Sequence, residues 1–386
     1  MKELRAIFAG GGTGGHLFPA IAIANQLKNR VEPETRTDFL FIGTKRGLEY
    51  RMRERLGYPL ETINVRGLQR SLTLTNLLFP IVLIGSIIKS IMILSRFRPD
   101  IVIGTGGYVM APVILAAVLL GKKRVIQEQN SFPGLATRKL ARMVHKLFLG
   151  FGSAERYFKN KHNLVETGNP VKEIIGKVNK QEGIDFFGLD SNKKTVLIIG
   201  GSLGASKINE NIKNGLKKLP ENYQLIWQTG ERDYKEVAAC AGDKVSGRAL
   251  FPFLNRMELA YSAADLVVAR AGALTLAEIA ICNLPAILIP YPYATGDHQL
   301  KNALDFSKNG AAIVIENKQL DSTDLLGKAV EMYESGQIDK MSKVALSNSG
   351  NSKKSAVDKI INEILELVKY KKGEPIAEQR GNSNQV

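Results

Sequence analysis

The sequence predicts an α/β protein built from two similar domains, each a doubly wound parallel sheet with helices on both faces. Three observations carry this reading. Short apolar runs alternate with helical segments along most of the 386 residues, the pattern of strand–helix–strand units. The alternation starts twice, each time with an apolar strand running into a glycine loop: Leu4–Ala9 into Gly10–Gly15, and Thr195–Ile199 into Gly200–Ser206. At roughly 150 residues per domain, the length suits two or three domains with cores of their own.

In the first half, the helix after Gly15 runs to about Asn29, with Pro19 tolerable in its first turn. Asp38–Ile42 reads as the second strand and the apolar run Leu77–Leu94 as a helix. Ile101–Ile103 leads into a second glycine-rich loop, Gly104–Tyr108, and an apolar helix, Ala111–Leu120. Short strands follow at Arg124–Gln127 and Lys146–Leu149. Gly168-Asn-Pro-Val171 breaks the pattern and reads as an interdomain linker. After the second glycine loop come helix Lys207–Lys218, strands Gln224–Gln228, Ala249–Pro252 and Leu266–Ala269, helix Leu274–Ile281, strand Ala286–Ile289 and helix Gln299–Asn309. Lys354–Tyr370 is an amphipathic helix, and the polar stretch 371–386 is expected to be disordered.

Composition excludes several classes. Hydrophobic residues make up 44% and charged residues 23%, which argues against a mainly disordered chain, a collagen-like repeat or a polytopic membrane protein. Cys240 and Cys282 cannot build a disulfide framework, and the four histidines, His16, His145, His162 and His298, show no zinc-ligand spacing. A reducing compartment follows. The start, MKELRAIFAGGGTGGH, has charges where a signal peptide needs apolar residues, so export is not expected.

The net charge of +16 is unevenly spread. Between Thr62 and Ala154 there are two acids, Asp100 and Glu128, and twelve bases, among them Lys89, Arg96, Arg98, Lys122–Arg124, Arg138, Lys139 and Arg142. Such a field suits nucleic acid, an anionic lipid surface or a phosphorylated substrate, or is simply a solvated face. Aromatics are not interleaved with these bases, which argues against nucleic acid. The bases flank the run Leu77–Leu94, which has the length of a membrane span but contains Pro80, Lys89 and one polar stripe of Ser86, Lys89 and Ser90. A core helix or a helix with a membrane-facing surface fits better than a span, and bases on both flanks favour the latter.

Four motifs carry chemistry. Gly10–Gly15 satisfies GxGxxG formally, but the second strand ends Phe41-Ile42-Gly43-Thr44 with no acid for a ribose. The alternatives are a structural turn or a loop whose N–H groups face an anion or a reacting group. Gly200–Ser206 repeats the context with hydroxyls, and Ser202 suits a phosphate oxygen. In Arg270–Glu278 a strand end meets glycine, and the Glu278 carboxylate suits a ribose diol, or merely a helix N-terminus. Tyr291–Asn302 is a polar loop feeding a helix, the place where α/β proteins bind ligands; the simpler reading there is a helix cap by Asp297.

Together these motifs resemble the MurG family of peptidoglycan glycosyltransferases (glycosyltransferase family 28). The resemblance rests on GGTGGHLFPA (11–20), GTGGYVMAP (104–112), EQN (128–130), TGNPV (167–171), GGSLGAS (200–206), RAGALTLAEI (270–279) and DHQLKNA (297–303), in order over nearly the whole chain. It implies the GT-B fold, two Rossmann-like domains facing across a cleft. Domain 1–166 would bind the acceptor and the membrane, with helix 352–370 packing back on it, and domain 167–351 would bind UDP-GlcNAc. The implied reaction is inverting transfer of GlcNAc from UDP-GlcNAc to the C4 hydroxyl of the undecaprenyl-diphosphate-linked acceptor, lipid I, forming lipid II. It would take place at the cytoplasmic face of the inner membrane, on an anionic surface, alongside cell-wall synthesis proteins, with no cofactor, no metal and no nucleic acid.

The resemblance also implies residue roles. In the second domain, backbone at Phe253–Leu254 would pair with uracil, Glu278 with ribose and Ser202 with the diphosphate. Ala273, Leu274 and Thr275 would line the site, and His298 and Gln299 would touch the sugar. Thr13, Gly14, Gly15 and Asn130 would approach the donor from the first domain. His16 would be the general base on the acceptor hydroxyl, a step this chemistry requires, and Gly106, Gly107 and Tyr108 would form the acceptor site. Two departures stand out: Lys172 replaces an arginine common in the family and lacks its planar fork, and His298-Gln299 replaces a glutamine pair. No Asp-x-Asp occurs, so helix N-termini and loop N–H groups would stabilise the leaving UDP. The competing readings are another UDP-sugar transferase of this fold, a UDP-GlcNAc 2-epimerase-like hydrolase, and a non-catalytic membrane-surface scaffold.

Overall fold

The computed structural model describes residues 3–32, 34–65, 79–201, 204–241, 248–349 and 355–370. Ser202, the start of the apolar run at Leu77 and the tail 371–386 lie outside the described residues. The chain divides into two compact units, Met1–Val171 with Lys354–Val386, and Lys172–Lys353.

In unit 1 the strands are β1 (Glu3–Gly10), β2 (Arg36–Gly43), β3 (Leu60–Thr62), β4 (Ile101–Gly106), β5 (Lys123–Glu128), β6 (Lys146–Leu149) and β7 (Leu164–Glu166). They form one parallel sheet in the order β3-β2-β1-β4-β5-β6-β7. Its helices are α1 (Gly14–Val31), α2 (Leu48–Arg51), α3 (Phe79–Phe97), α4 (Gly107–Leu119) and α5 (Leu135–Leu140). Alternation along the buried strands feeds two cores. Leu4, Ala6 and Phe8 pack with Leu17, Ile23 and Leu27 of α1 and with Ile360, Ile361 and Ile364 of the C-terminal helix Ala356–Leu367. Ile7 and Ala9 pack on the other face with Ile93 and Leu94 of α3 and Val113 and Ile114 of α4. The C-terminal helix is capped by Ser355, whose hydroxyl accepts from the Asp358 N–H, and it is tied down by Arg30–Asp358 and Lys146–Glu363 ion pairs.

Three expectations change here. Helix α1 begins at Gly14, so Pro19 sits in its second turn. The expected loop Gly104–Tyr108 does not exist: β4 continues to Gly106 and α4 starts at Gly107. The polar stripe on α3 is split. Ser86 and Ser90 are buried, with hydroxyls donating to Asn64, Val82 and Ser86 carbonyls, a helical back-bond that lets a hydroxyl enter a core. The outer face shows Ile81, Ile84, Ile88 and Met92, each more than half exposed, beside exposed Lys89.

In unit 2 the strands are β8 (Lys194–Ile199), β9 (Tyr223–Gln228), β10 (Arg248–Phe251), β11 (Leu266–Ala269), β12 (Ala286–Leu288) and β13 (Ala312–Val314). They form a second parallel sheet, in the order β10-β9-β8-β11-β12-β13. Helices α6 (Lys180–Phe187), α7 (Ser206–Gly215), α8 (Glu231–Ala241), α9 (Met257–Ala263), α10 (Ala273–Ile281), α11 (His298–Ser307), α12 (Leu325–Glu334) and α13 (Gln337–Ser349) complete it. Val196, Ile198, Leu225, Trp227 and Val268 form the core with Ile208 and Ile212 of α7 and Leu325, Leu326 and Ala329 of α12.

Candidate active site

A doubly wound sheet binds ligands beyond the carboxyl ends of its strands, where the strand order reverses. In unit 1 that point lies between β1 and β4, and the ends of these strands carry Gly10–Gly15 and Gly106–Tyr108. His16, in the first turn of α1, is half-buried there. Its Nδ1 lies 3.1 Å from the Thr105 carbonyl oxygen and 3.0 Å from Gln129 Oε1. The Gln129 amide nitrogen donates to the carbonyls of Thr105 and Gln127 at 2.7 and 3.0 Å, so its oxygen is the atom that faces the ring. Two acceptors at Nδ1 assign the proton to that nitrogen and leave the lone pair on Nε2. Nε2 has no partner among the described residues. This is the tautomer a general base needs.

The glycines beside His16 have a steric reason. Gly106 has φ +110°, and a Cβ there would lie 2.4 Å from His16 Nδ1; Gly107 has φ +75°, and its Cβ would lie 2.4 Å from the Gly11 carbonyl oxygen. Both residues make room for the base and its loop. Tyr108 projects, largely exposed, from the start of α4. Behind His16, the EQN and GNPV motifs merge in one buried amide network: Asn169 donates to the Gln129 carbonyl (2.9 Å) and accepts from Gln127 (3.0 Å). Gly168–Val171 is therefore anchored in unit 1 at Asn169, directly before unit 2 begins at Lys172. Asn130 donates through N and Nδ2 to Glu128 Oε1 (3.1 and 3.2 Å), while Gly134 N–H donates to Oε2 (3.1 Å), so a buried carboxylate shapes this loop.

Glu49 was invisible to the sequence reading. It is 1% exposed and accepts from the N–H of Gly12 (2.7 Å) and of Thr44 (2.8 Å). A Cβ at Gly11, Gly43 or Gly47 would come within 2.4 Å of its side chain. The acid missing from the end of β2 is thus supplied from α2, but it binds the protein's own glycine loop. It occupies the Gly12 N–H that an anion would otherwise take, leaving the exposed turn at Thr13–Gly15 as the open part of the loop.

In unit 2 the order reverses between β8 and β11, at Gly200–Gly204 and Arg270–Gly272. Gly204 has φ +76°, and a Cβ there would lie 2.1 Å from the Thr229 carbonyl oxygen. Gln228, also unforeseen, donates to the Gly201 carbonyl (2.8 Å) and accepts from the Leu254 N–H (2.9 Å). The Leu254 N–H is therefore engaged inside the unit, and Phe253 beside it is exposed. Arg270 is 8% exposed and donates through one terminal nitrogen to the Ile289 and Pro290 carbonyls at 3.2 and 3.1 Å. Burial lowers its pKa to about 10, so the cation persists at neutral pH.

Ala273, Leu274 and Thr275 form the first turn of α10, and Glu278 lies in the second turn, too far along for the helix N-terminus to account for it. Its Oε2 accepts from the Tyr261 hydroxyl at 2.9 Å. Burial raises its carboxyl to about 7, against the opposing pull of that hydrogen bond and of the Lys172 charge. Gln299 Oε1 accepts from the Tyr291 N–H (3.0 Å), which directs its amide NH2 elsewhere, and His298 Nδ1 lies 2.8 Å from the Thr295 carbonyl oxygen. Asp297 stands at the N-cap of α11 with φ +55° and makes no side-chain cap, so the simpler capping reading fails. Among the described residues no group of three or more His, Cys, Asp or Glu side chains is arranged to hold a metal ion.

Comparison with known proteins agrees with this architecture. The family model for the glycosyltransferase family 28 N-terminal domain matches residues 6–149, and that for its C-terminal domain matches 195–364. A UDP-N-acetylglucosamine–N-acetylmuramyl-(pentapeptide) pyrophosphoryl-undecaprenol N-acetylglucosamine transferase of Flavobacterium psychrophilum is 40% identical over 379 residues, covering 96% of this chain and 100% of its own. The transferase of the same name from Chlorobaculum tepidum is 42% identical over 321 residues, 82% of this chain and 87% of its own. The crystal structure of Acinetobacter baumannii MurG superimposes with a TM-score of 0.71 at 26% identity, over 95% of this chain and 100% of that one. The chain therefore belongs to glycosyltransferase family 28, the family of the MurG proteins.

Proposed function

We propose that this protein transfers N-acetylglucosamine from UDP-N-acetylglucosamine to the C4 hydroxyl of undecaprenyl-diphospho-N-acetylmuramoyl-pentapeptide, lipid I, producing lipid II and UDP with inversion at the anomeric carbon. The observation that carries this reading is His16, held with its Nε2 lone pair free at the switch point of unit 1. Nε2 takes the proton of the acceptor hydroxyl as that oxygen attacks an oxocarbenium-like centre from the face opposite UDP. Gly106, Gly107 and Tyr108 support the acceptor end, Gly106 by making room for His16 and Gly107 for the Gly11 carbonyl of the glycine loop. Thr13, Gly14, Gly15 and Asn130 serve the donor from unit 1.

Unit 2 holds the donor. Glu278 takes the ribose diol, Ser202 and the N-terminus of α7 the diphosphate, and the Phe253–Leu254 segment the uracil edge through groups other than the Leu254 N–H. The first turn of α10 at Ala273–Thr275 lines the site, Lys172 supplies positive charge toward it, and His298 with the Gln299 amide meets the sugar hydroxyls. The chain acts as a peripheral protein at the cytoplasmic membrane face. The apolar outer face of α3, with Leu119 of α4, Leu135 of α5 and exposed Lys89, Arg138, Lys139 and Arg142 around it, supports an anionic lipid surface as its partner.

The test is UDP release from UDP-GlcNAc with a short-chain lipid I analogue. Release that requires both substrates supports the reading. No release with the acceptor, or equal release without it, rejects it.

A further inference from the structure

Tyr261, on α9, is 1% exposed, and a tyrosine so deeply placed needs a partner for its hydroxyl. That partner is Glu278 Oε2, on the neighbouring helix α10, at 2.9 Å. We propose that Tyr261 is a positioning residue for donor binding: its hydroxyl fixes the Glu278 carboxylate in one orientation and keeps it an acceptor for the two ribose hydroxyls of the nucleoside diphosphate sugar. The proposal rests on the ribose role of Glu278.

The geometry defines the division of labour. The Tyr261 hydroxyl remains a donor, because burial and the Glu278 charge push its own ionisation well above the usual range. One bond to Oε2 leaves Oε1 entirely for the ligand, and a carboxylate has acceptor sites enough for three partners. Among the described residues three ionisable groups act on or with this carboxylate: Tyr261 from α9, Lys172 ahead of α6, and Cys282 at the end of α10. Burial pushes the Cys282 thiol up to about 12, so it stays neutral. Lys172 contributes the positive charge and Tyr261 the hydrogen bond. Only the ionised Glu278 accepts from both hydroxyls of a diol; a protonated carboxyl must turn one oxygen into a donor. With its carboxyl at about 7, Glu278 is about half ionised at neutral pH, and the Tyr261 hydrogen bond, with the Lys172 charge, holds that fraction up.

The experiment compares the full-length wild type with Tyr261→Phe, Glu278→Gln and the double variant, measuring kcat and the UDP-GlcNAc KM from pH 5.5 to 9. A hydrogen bond to a charged group of ordinary strength is equivalent to about one pH unit. In Tyr261→Phe the acid limb of kcat/KM for the donor therefore moves up by about one unit. KM at pH 7 rises about fivefold, the loss in ionised fraction for that shift, while kcat at saturating donor is unchanged. In Glu278→Gln the limb disappears, and adding Tyr261→Phe to it has no further effect. Should Tyr261→Phe fail to fold, Tyr261→Met, which also lacks the hydroxyl, is read in its place. A Tyr261→Phe profile that superimposes on the wild type while Glu278→Gln raises KM overturns the positioning role and leaves the ribose reading standing. A Glu278→Gln variant with wild-type KM overturns the ribose reading itself, and this proposal with it.

Discussion

His16 Nδ1 and Gln129 Oε1 lie 3.0 Å apart, joining the first turn of a helix to the segment after β5, 113 residues away in the chain. That contact, shared with the Thr105 carbonyl, sets which ring nitrogen can act as a base. Replacing His16 by Ala removes the base and lowers kcat by about 10²- to 10⁴-fold, with the UDP-GlcNAc KM held. Gln129→Leu removes one of the two acceptors and lowers kcat by about tenfold through a misoriented ring. Steady-state kinetics with both substrates checks each. Wild-type turnover in His16→Ala would reject the base assignment.

Gly106→Ala tests the same ring sterically. A methyl group 2.4 Å from Nδ1 on a backbone at φ +110° cannot be accommodated without moving the imidazole. The expected result is a loss of kcat comparable to His16→Ala and a stability loss of about 1–3 kcal/mol, read from denaturant melts.

Glu49→Ala leaves the N–H groups of Gly12 and Thr44 without their acceptor in a buried site. Each unsatisfied buried donor costs about 1–3 kcal/mol, so the variant loses about 3 kcal/mol or more. Glu49→Gln, which keeps one acceptor oxygen, loses less. Equal stability of the two variants and the wild type in urea would contradict the clamp.

Glu278 makes unit 2 sensitive to pH. Its carboxyl is raised from the ordinary 4.5 to about 7, so its protonated form contributes stability below pH 4.5 that is lost as pH rises through 7. The full swing is about 3 kcal/mol. Glu278→Gln removes it. The variant melts above the wild type at pH 8, and the gap closes toward pH 5. A constant gap across that range would show that the carboxyl is not buried as described.

The α3 surface is tested with Ile84→Glu/Ile88→Glu. Both side chains are more than half exposed, so stability in denaturant melts holds within about 0.5 kcal/mol. Co-sedimentation with vesicles containing anionic phospholipid falls sharply. Unchanged binding would move the lipid contact elsewhere.

The apolar runs made the central strands legible: Lys146–Leu149 and Leu266–Ala269 match the sequence reading to the residue. The edge strands Leu60–Thr62 and Leu164–Glu166 were not legible, because three residues of mixed polarity carry no period. Gly104–Gly106 looked like a loop because glycine usually marks one; in the fold both glycines continue a buried strand, Gly104 making room for Met110 and Gly106 for His16. Glu49 left no trace, since a carboxylate that will be buried reads like any surface acid, and Gly11, which houses it together with nearby Gly43 and Gly47, meets it only in space. On α3 the length and apolarity were readable. Which face turns outward was not, because Ser86 and Ser90 satisfy their hydroxyls on carbonyls inside the fold. Within the motifs, residue types pointed to the right neighbourhoods, but the internal use of the Leu254 N–H by Gln228 depended on a side chain from another strand.

Ile360, Ile361 and Ile364 complete a core that begins with Leu4, Ala6 and Phe8, so segments on either side of unit 2 in the sequence share one core. On the ribosome this reverses the usual order of maturation. Lys172–Lys353 is contiguous and can finish folding while synthesis continues, whereas the segment made before it waits, with an apolar flank uncovered, until Ala356–Leu367 emerges. Until then that flank is an exposed apolar surface of the kind that aggregates.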